Sequence, residues 1–212
     1  MNELFQFRDQ YQAISLQRDL AGRVSCVDDP GFNPRLVCGM DAAYRGEAAY
    51  VAATVWDLES KQFVEKLCKR DEAMTRYVPG LLGFREGLLL FRISQRLRSN
   101  PDVFLVDGQG VAHPRRFGLA CHLGLAIEKP TVGVAKSRLY GKPENGAIVD
   151  PDSRRIGRII ATGDGRRFYV SVGHRISLDS ASRLVEACIV EGHPAPLRQA
   201  HLDSETLKRN SV

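Results

Sequence analysis

The run Val103-Phe104-Leu105-Val106 constrains this chain more than any other feature, being apolar at every position between Asn100-Pro101-Asp102 and Asp107-Gly108. A strand with one face in water alternates apolar and polar residues, whereas a strand without a polar position is covered on both faces. Such a strand lies inside a sheet that carries helices on either side. The flanking patterns supply those helices. Residues 84–97 have helical periodicity and are closed by Asn100-Pro101. A helix over 117–127 follows the run, and then a second buried strand over 131–134. Upstream, 36–44, 49–57 and 62–69 are extended runs joined by Arg45-Gly46-Glu47 and Leu58-Glu59-Ser60-Lys61, the spacing of an antiparallel meander. The order is therefore three antiparallel strands, helix, strand, helix, strand: an α/β chain with a central mixed sheet of five-strand type, flanked by helices.

The remainder is less regular. Residues 5–20 are expected to form a first helix, 140–152 a polar loop, 158–162 and 168–172 a hairpin turning at Asp164-Gly165, and 178–189 a late helix. After Gly192 the chain is polar, so 193–212 is expected to be a poorly ordered tail. The 212 residues suit one domain spanning 1–212.

Composition excludes several classes. No uncharged apolar stretch reaches membrane-spanning length, and Glu3, Arg8, Asp9, Arg18 and Asp19 interrupt any secretory leader within the first twenty residues. A cytoplasmic location is expected. The five cysteines include no C-x-x-C pair, so reduced, buried thiols are expected rather than a zinc or redox site. Net charge is +5, and of 30 basic residues only seven are Lys, leaving 23 Arg. The guanidinium fork suits phosphate oxygens, although Arg usage also follows genomic base composition.

Three acids stand where a fold would prefer apolar side chains. Asp107 ends the buried strand, at the carboxyl edge where open sheets place ligands; an Asp-Gly pair is equally a turn former. Asp41 lies within Leu36-Val37-Cys38-Gly39-Met40-Asp41-Ala42-Ala43-Tyr44 and shares a face with Val37, Gly39 and Ala43. A charge there is costly unless paired or bound to metal, or unless that face of an edge strand meets water. Glu86 falls on the stripe of Leu90, Ile93 and Leu97 in the 84–97 helix; the helix N-terminus alone would also favour an acid. Carboxylates are hard ligands suited to Mg²⁺ or Mn²⁺, and such ions activate phosphodiester hydrolysis.

These acids fall within longer motifs: Gly39-Met40-Asp41-Ala42-Ala43-Tyr44, Tyr77-Val78-Pro79-Gly80-Leu81-Leu82-Gly83-Phe84-Arg85-Glu86, Val106-Asp107-Gly108-Gln109-Gly110, His113-Pro114-Arg115-Arg116, Gly133-Val134-Ala135-Lys136-Ser137 and Gly173-His174-Arg175-Ile176-Ser177-Leu178-Asp179-Ser180. In this order, over roughly residues 36–190, the chain resembles the endonuclease V family, which nicks strands containing deaminated adenine. The resemblance implies a ribonuclease H-like fold. It implies a DNA repair enzyme that hydrolyses the second phosphodiester 3′ of deoxyinosine, leaving 3′-OH and 5′-phosphate, with Mg²⁺ as cofactor and Mn²⁺ as substitute. Asp41 and Asp107 match metal ligands, and Glu86 matches the third catalytic acid. His174 and Lys136 match positions lining the cut site. Tyr77-Val78-Pro79-Gly80 matches a wedge loop that fills the gap left when a damaged base leaves the stack. Leu82 belongs with the nucleic-acid contacts, and Gly80, Gly83, Gly108 and Gly110 could bring backbone amides to the flipped base. His113 is placed to position its loop. Arg115 and Arg116, ahead of the 117–127 helix, and Arg138 are phosphate candidates.

Two departures bear on the substrate. Arg76 stands where bacterial relatives often have proline, and Gln109 stands where some have histidine. The expected partner is deoxyinosine-containing DNA acted on by a monomer. Inosine-containing RNA or branched and mismatched DNA are alternative substrates for the same cutting centre. A binding module without cleavage is the alternative of another class, opposed by the presence of all three acids.

Overall fold

A computed structural model describes residues 2–211. A 3₁₀ turn at Asn2–Phe5 precedes α1 (Gln10–Ala21), so the expected first helix is broken, because the Asp9 side chain accepts from the Gln12 N–H and caps a new start. The meander follows as β1 (Leu36–Arg45), β2 (Ala48–Asp57) and β3 (Gln62–Glu72). Then come α2 (Leu82–Ser94), β4 (Val103–Val106), α3 (Leu119–Ile127) and β5 (Thr131–Ala135). The helix expected at 84–97 thus starts and stops earlier, and that expected at 117–127 starts two residues later.

The stretch 140–152 is not a plain loop: it folds into the hairpin β6 (Lys142–Glu144) and β7 (Ala147–Val149). Next are β8 (Arg155–Ala161), β9 (Arg167–His174) and α4 (Leu178–Ala187), capped by the Ser177 side chain. The tail beyond Gly192 is ordered, contrary to expectation. β10 (Ile189–Val190) pairs with β11 (His193–Pro194), and α5 (Ala195–Asn210) follows. Its buried residues Pro196, Leu197, Ala200 and Ser204 form one narrow stripe, which is enough to dock an otherwise polar helix.

One nine-stranded sheet runs β3-β2-β1-β4-β5-β9-β8-β7-β6. Its first five strands are the expected mixed core, with β1, β4 and β5 parallel and β2 and β3 antiparallel. The other four extend it beyond the five-strand expectation. This is the ribonuclease H-like arrangement that the resemblance implies. On one face, Cys38, Met40, Phe104 and Val106 pack against Leu89, Leu90 and Ile93 of α2 and Leu123 of α3. On the other, Val37, Val103 and Leu105 join a core that includes Leu184 and Val185 of α4 and Leu197 of α5. α5 crosses β1 where Gly39 leaves room: a Cβ there would lie 2.2 Å from the Pro196 backbone. Thr54 Oγ1 donates to the Pro196 carbonyl at 2.6 Å, fixing the same crossing.

All five cysteines are free. Cys38, Cys121 and Cys188 are buried as expected, but Cys26 and Cys68 are exposed. Among the described residues no helix is long and apolar enough to cross a membrane.

Candidate active site

Parallel pairing brings the first two acids together. Met40 lies opposite Val106, so the next residues, Asp41 within β1 and Asp107 just past the end of β4, lie side by side, with the Asp107 N–H 3.4 Å from the Met40 carbonyl. Glu86, on α2, is buried within electrostatic range of both carboxylates. The three expected acids therefore converge, although they come from separate elements.

Their electrostatics follow from burial and mutual repulsion. Desolvation pushes the Glu86 pKa up to about 8, and the charges of Asp41 and Asp107 add to the rise. The buried Tyr44 hydroxyl, close to Glu86 but without strict hydrogen-bond geometry, offsets part of it. Arg85 lies 4.1 Å over the Tyr44 ring. Asp107 is also raised, chiefly by burial and then by Asp41, against the pull of Lys136. Lys136 Nζ stands 2.6 Å from Asp107 Oδ2. Burial alone would lower the lysine, but Asp107 and Asp41 hold it above its ordinary value.

The histidine that meets the acids is His201, not His174. His201 Nδ1 is 2.8 Å from Asp41 Oδ2, and that hydrogen bond raises its pKa. Ser204 Oγ, one turn along α5, is 3.4 Å from the same oxygen. His174 lies elsewhere. It pairs with Thr131, the first residue of β5, whereas Lys136 follows the last. At about 3.3 Å per residue the two are roughly 16 Å apart along the sheet. His174 Nδ1 accepts from the Ser25 N–H at 3.2 Å, and Nε2 faces Glu128 at 3.7 Å. Because β9 runs antiparallel to β5, its final residue arrives at the far end of the sheet.

A cleft of about 270 Å³ opens beside Asp107 and Lys136. Gly80, Leu82, Gly83, Gly108, Leu119 and Leu139 line it. Tyr77 stands at its mouth, 62% exposed. Val78 is half-buried and Pro79 exposed. Arg138 also lines the cleft, with its guanidinium donating to the Gly141 carbonyl.

Other expected contacts are committed internally. Arg115 donates to Gln17 Oε1 at 2.6 Å and to the Gly80 carbonyl at 2.8 Å. Arg116 pairs with Asp150 at 3.0 Å. These two guanidiniums are struts of the fold rather than free phosphate ligands. Burial, and then Arg115, push the His113 pKa down to about 4. The Gly110 N–H donates to Ser171 Oγ at 2.8 Å and is not available to a base.

The residues fit a hard divalent cation. The donors are carboxylate oxygens, and the cluster carries more negative charge than burial tolerates, with Lys136 and His201 already drawn against two of its members. Among the described residues no three His, Cys, Asp or Glu side chains stand close enough together to hold a metal ion by themselves. Mg²⁺ takes one or two protein carboxylates and completes its shell with water and substrate phosphate, so the neighbouring Asp41 and Asp107 would be donors enough.

Comparison with known proteins places this arrangement. The endonuclease V family model matches residues 18–202, a span that includes His201. Endonuclease V of Desulfurococcus amylolyticus is 39% identical over 197 residues, covering 89% of this chain and 90% of its own. The crystal structure of endonuclease V from Streptomyces avermitilis superposes with a TM-score of 0.86 at 34% identity, covering 97% of this chain and 96% of that one. Endonuclease V of Ciona intestinalis, solved in complex with a 24mer DNA containing an inosine followed by a ribo-adenosine, gives 0.84 at 26% identity, covering 92% and 95%. With the motifs, the fold and the match over most of its length in agreement, the chain belongs to the endonuclease V family.

Proposed function

We propose that this protein is a DNA repair endonuclease that recognises deoxyinosine and hydrolyses the second phosphodiester on its 3′ side, leaving 3′-OH and 5′-phosphate. The observation that carries the reading is the meeting of Asp41, Glu86 and Asp107 beside a cleft with an exposed aromatic at its mouth.

Asp41 and Asp107, with Glu86 in support, would hold the Mg²⁺ or Mn²⁺ ion. When bound, such an ion polarises the scissile phosphate and increases the acidity of the attacking water. Lys136, adjacent to Asp107 and partly exposed, neutralises charge on the phosphate. Asp41 orients His201, and the raised pKa of that imidazole suits it to give a proton to the leaving 3′ oxygen.

Recognition takes place in the cleft. A base must leave the duplex stack to be read, and Tyr77 fills the gap. Leu82 and Gly83 begin α2, where backbone N–H groups have no intrahelical partner. Both line the cleft, so their amides can donate to O6 of hypoxanthine, where adenine carries an amino group. Gly108 contributes an uncrowded wall and Arg138 a cation on the strand's path. The scheme calls on no residue of a second chain, and action as a monomer is part of the proposal.

A second reading has an observation in its favour. The nucleic acid bound to the Ciona relative has a ribonucleotide immediately after the inosine, so inosine-containing RNA is a competing substrate. The deciding experiment presents a deoxyinosine duplex and an inosine RNA to the same preparation with Mg²⁺. Faster nicking of the DNA supports the proposal, faster nicking of the RNA reassigns the substrate, and cleavage of neither sinks both readings.

A further inference from the structure

The wedge loop is held from outside itself. The Gly80 carbonyl accepts from three side chains: Gln17 Nε2 at 3.0 Å, Arg115 Nη2 at 2.8 Å and His113 Nε2 at 3.0 Å. The partners fix the hydrogens. The Arg115 backbone N–H donates to His113 Nδ1 at 3.2 Å, so Nε2 is the nitrogen that carries a proton and donates. Gln17 is determined in the same way. Its Nε2 faces two carbonyls, Gly80 and Phe117, the latter at 2.9 Å, while its Oε1 faces the Arg115 guanidinium at 2.6 Å. Only one amide orientation satisfies all three.

Gln17 is 1% exposed and lies on α1, far in sequence from the loop it holds. The chain carbonyls it joins have distinct settings. Gly80 closes the Tyr77 loop in a left-handed conformation, φ +79°, and Phe117 precedes Gly118, which caps α3 at the back of the cleft. One side chain thus spans the wedge loop and the pocket wall. Burying a primary amide is costly unless all its hydrogen bonds are made. Here they are made to the two parts that must keep their spacing when a base enters.

We propose that Gln17 is a positioning residue for lesion recognition: through the Gly80 carbonyl it holds Tyr77 at the mouth of the cleft, so α1 helps to set discrimination between lesion-bearing and intact duplex. The inference rests on the reading of Tyr77 as the wedge. Gln17 also borders the cleft, but its amide is committed to Gly80, Phe117 and Arg115, so it acts by positioning rather than by touching the base.

Two variants test it. Gln17→Met keeps the length of the side chain and removes all three hydrogen bonds. Gln17→Glu keeps an acceptor for Arg115 but turns carboxylate oxygen toward two carbonyls. Both variants are expected to speed hydrogen–deuterium exchange at 77–82 by about tenfold, with β4 amides unchanged as the control for folding. Both, like Tyr77→Ala, are expected to lower the kcat/KM ratio of deoxyinosine duplex over undamaged duplex by about tenfold, and to add nothing further in a Tyr77→Ala background. Unchanged exchange at 77–82 would overturn the proposal. So would faster exchange with an additive loss in the double variant, since Gln17 would then act by another route. A Tyr77→Ala protein that discriminates as well as wild type refutes the wedge reading itself, and the exchange data separate that failure from failure of the clamp.

Discussion

His201 Nδ1 lies 2.8 Å from Asp41 Oδ2, across 160 residues of sequence. This contact joins the first strand of the sheet to the last helix and makes α5 part of the candidate active site. Removing the imidazole takes away the proposed proton donor while the three acids remain. His201→Ala is expected to lower kcat on a deoxyinosine duplex by about 100-fold or more, the usual scale for a general acid. His174→Ala is expected to leave the cutting step within about threefold of wild type, as its contacts belong to the far end of the sheet. Single-turnover rates on one duplex measure both. A larger loss in His174→Ala than in His201→Ala would reverse the assignment.

How far each element is legible in the sequence depends on how much apolar surface it buries. β4 was legible residue for residue, since Val103–Val106 has no polar position to confuse the reading. The acids were legible as misfits and gained meaning from their motifs. α5 was not, because its buried stripe is built from small residues, Ala195, Ala200 and Ser204, with Leu197 as its one large buried side chain. Its histidine was lost along with it. The β6–β7 hairpin was hidden by Pro143, Asn145 and Gly146 within eight residues, a composition shared with loops. His174 is the opposite case: a motif carries no strand direction, and because β9 turns back antiparallel after the hairpin at 162–166, this residue reaches the far end of the sheet.

Glu86 is an acid maintained at the expense of stability. Its pKa rises from 4.5 to about 8 on folding, so between those values the unfolded chain is ionised while the folded chain holds its proton. Stability from this group is therefore present below about pH 4.5 and is lost as pH rises through 8. Glu86→Gln removes the penalty. Without divalent cation at pH 8.5, the variant is expected to be more stable than wild type by roughly 1–3 kcal/mol in urea unfolding, and less active. Equal midpoints at pH 8.5 would contradict the burial of a charged Glu86.

A bound divalent cation is expected to reverse that ordering. Ligand that binds only the folded state adds RT ln(1 + [L]/Kd), about 2.7 kcal/mol at a hundredfold excess over Kd. Titrating Mg²⁺ or Mn²⁺ should raise the wild-type melting temperature. The shift should disappear in Asp41→Asn and Asp107→Asn, the neighbouring acids of β1 and the end of β4. A full shift in the Asp107→Asn protein would remove Asp107 from the set of ligands.

Two buried histidines predict acid sensitivity of the fold. His122 is enclosed by Phe5, Phe84 and Phe117, at ring separations of 4.6, 4.8 and 5.2 Å, and burial lowers its pKa to about 4. His113 is lowered to about 4 by burial and then by Arg115. Here the unfolded chain takes up protons first. Their contribution is intact above pH 6.5 and declines as pH falls toward 4, by at most about 3 kcal/mol for each histidine at 1.36 kcal/mol per pKa unit. Wild-type protein should therefore lose several kcal/mol between pH 7 and pH 4. A His122→Leu variant, less stable at neutral pH because the hydrogen bond to the Leu4 carbonyl is gone, should lose measurably less over the same interval. Parallel stability curves for the two proteins would show that His122 is not the group that titrates.

Tyr77 carries the last prediction. It is 62% exposed at the mouth of the cleft, and a large exposed aromatic with little burial contributes little to folding. Tyr77→Ala should therefore melt within about 1 °C of wild type, consistent with a small surface effect. Its loss belongs to recognition. An aromatic that stacks against a neighbouring base is worth about 1–3 kcal/mol, so affinity for a deoxyinosine duplex should fall by about fivefold to 150-fold while affinity for intact duplex changes little. Tyr77→Phe should retain most of the difference, because stacking needs the ring and not the hydroxyl. Equal losses on both duplexes would make Tyr77 a general contact to nucleic acid and leave the wedge without its residue.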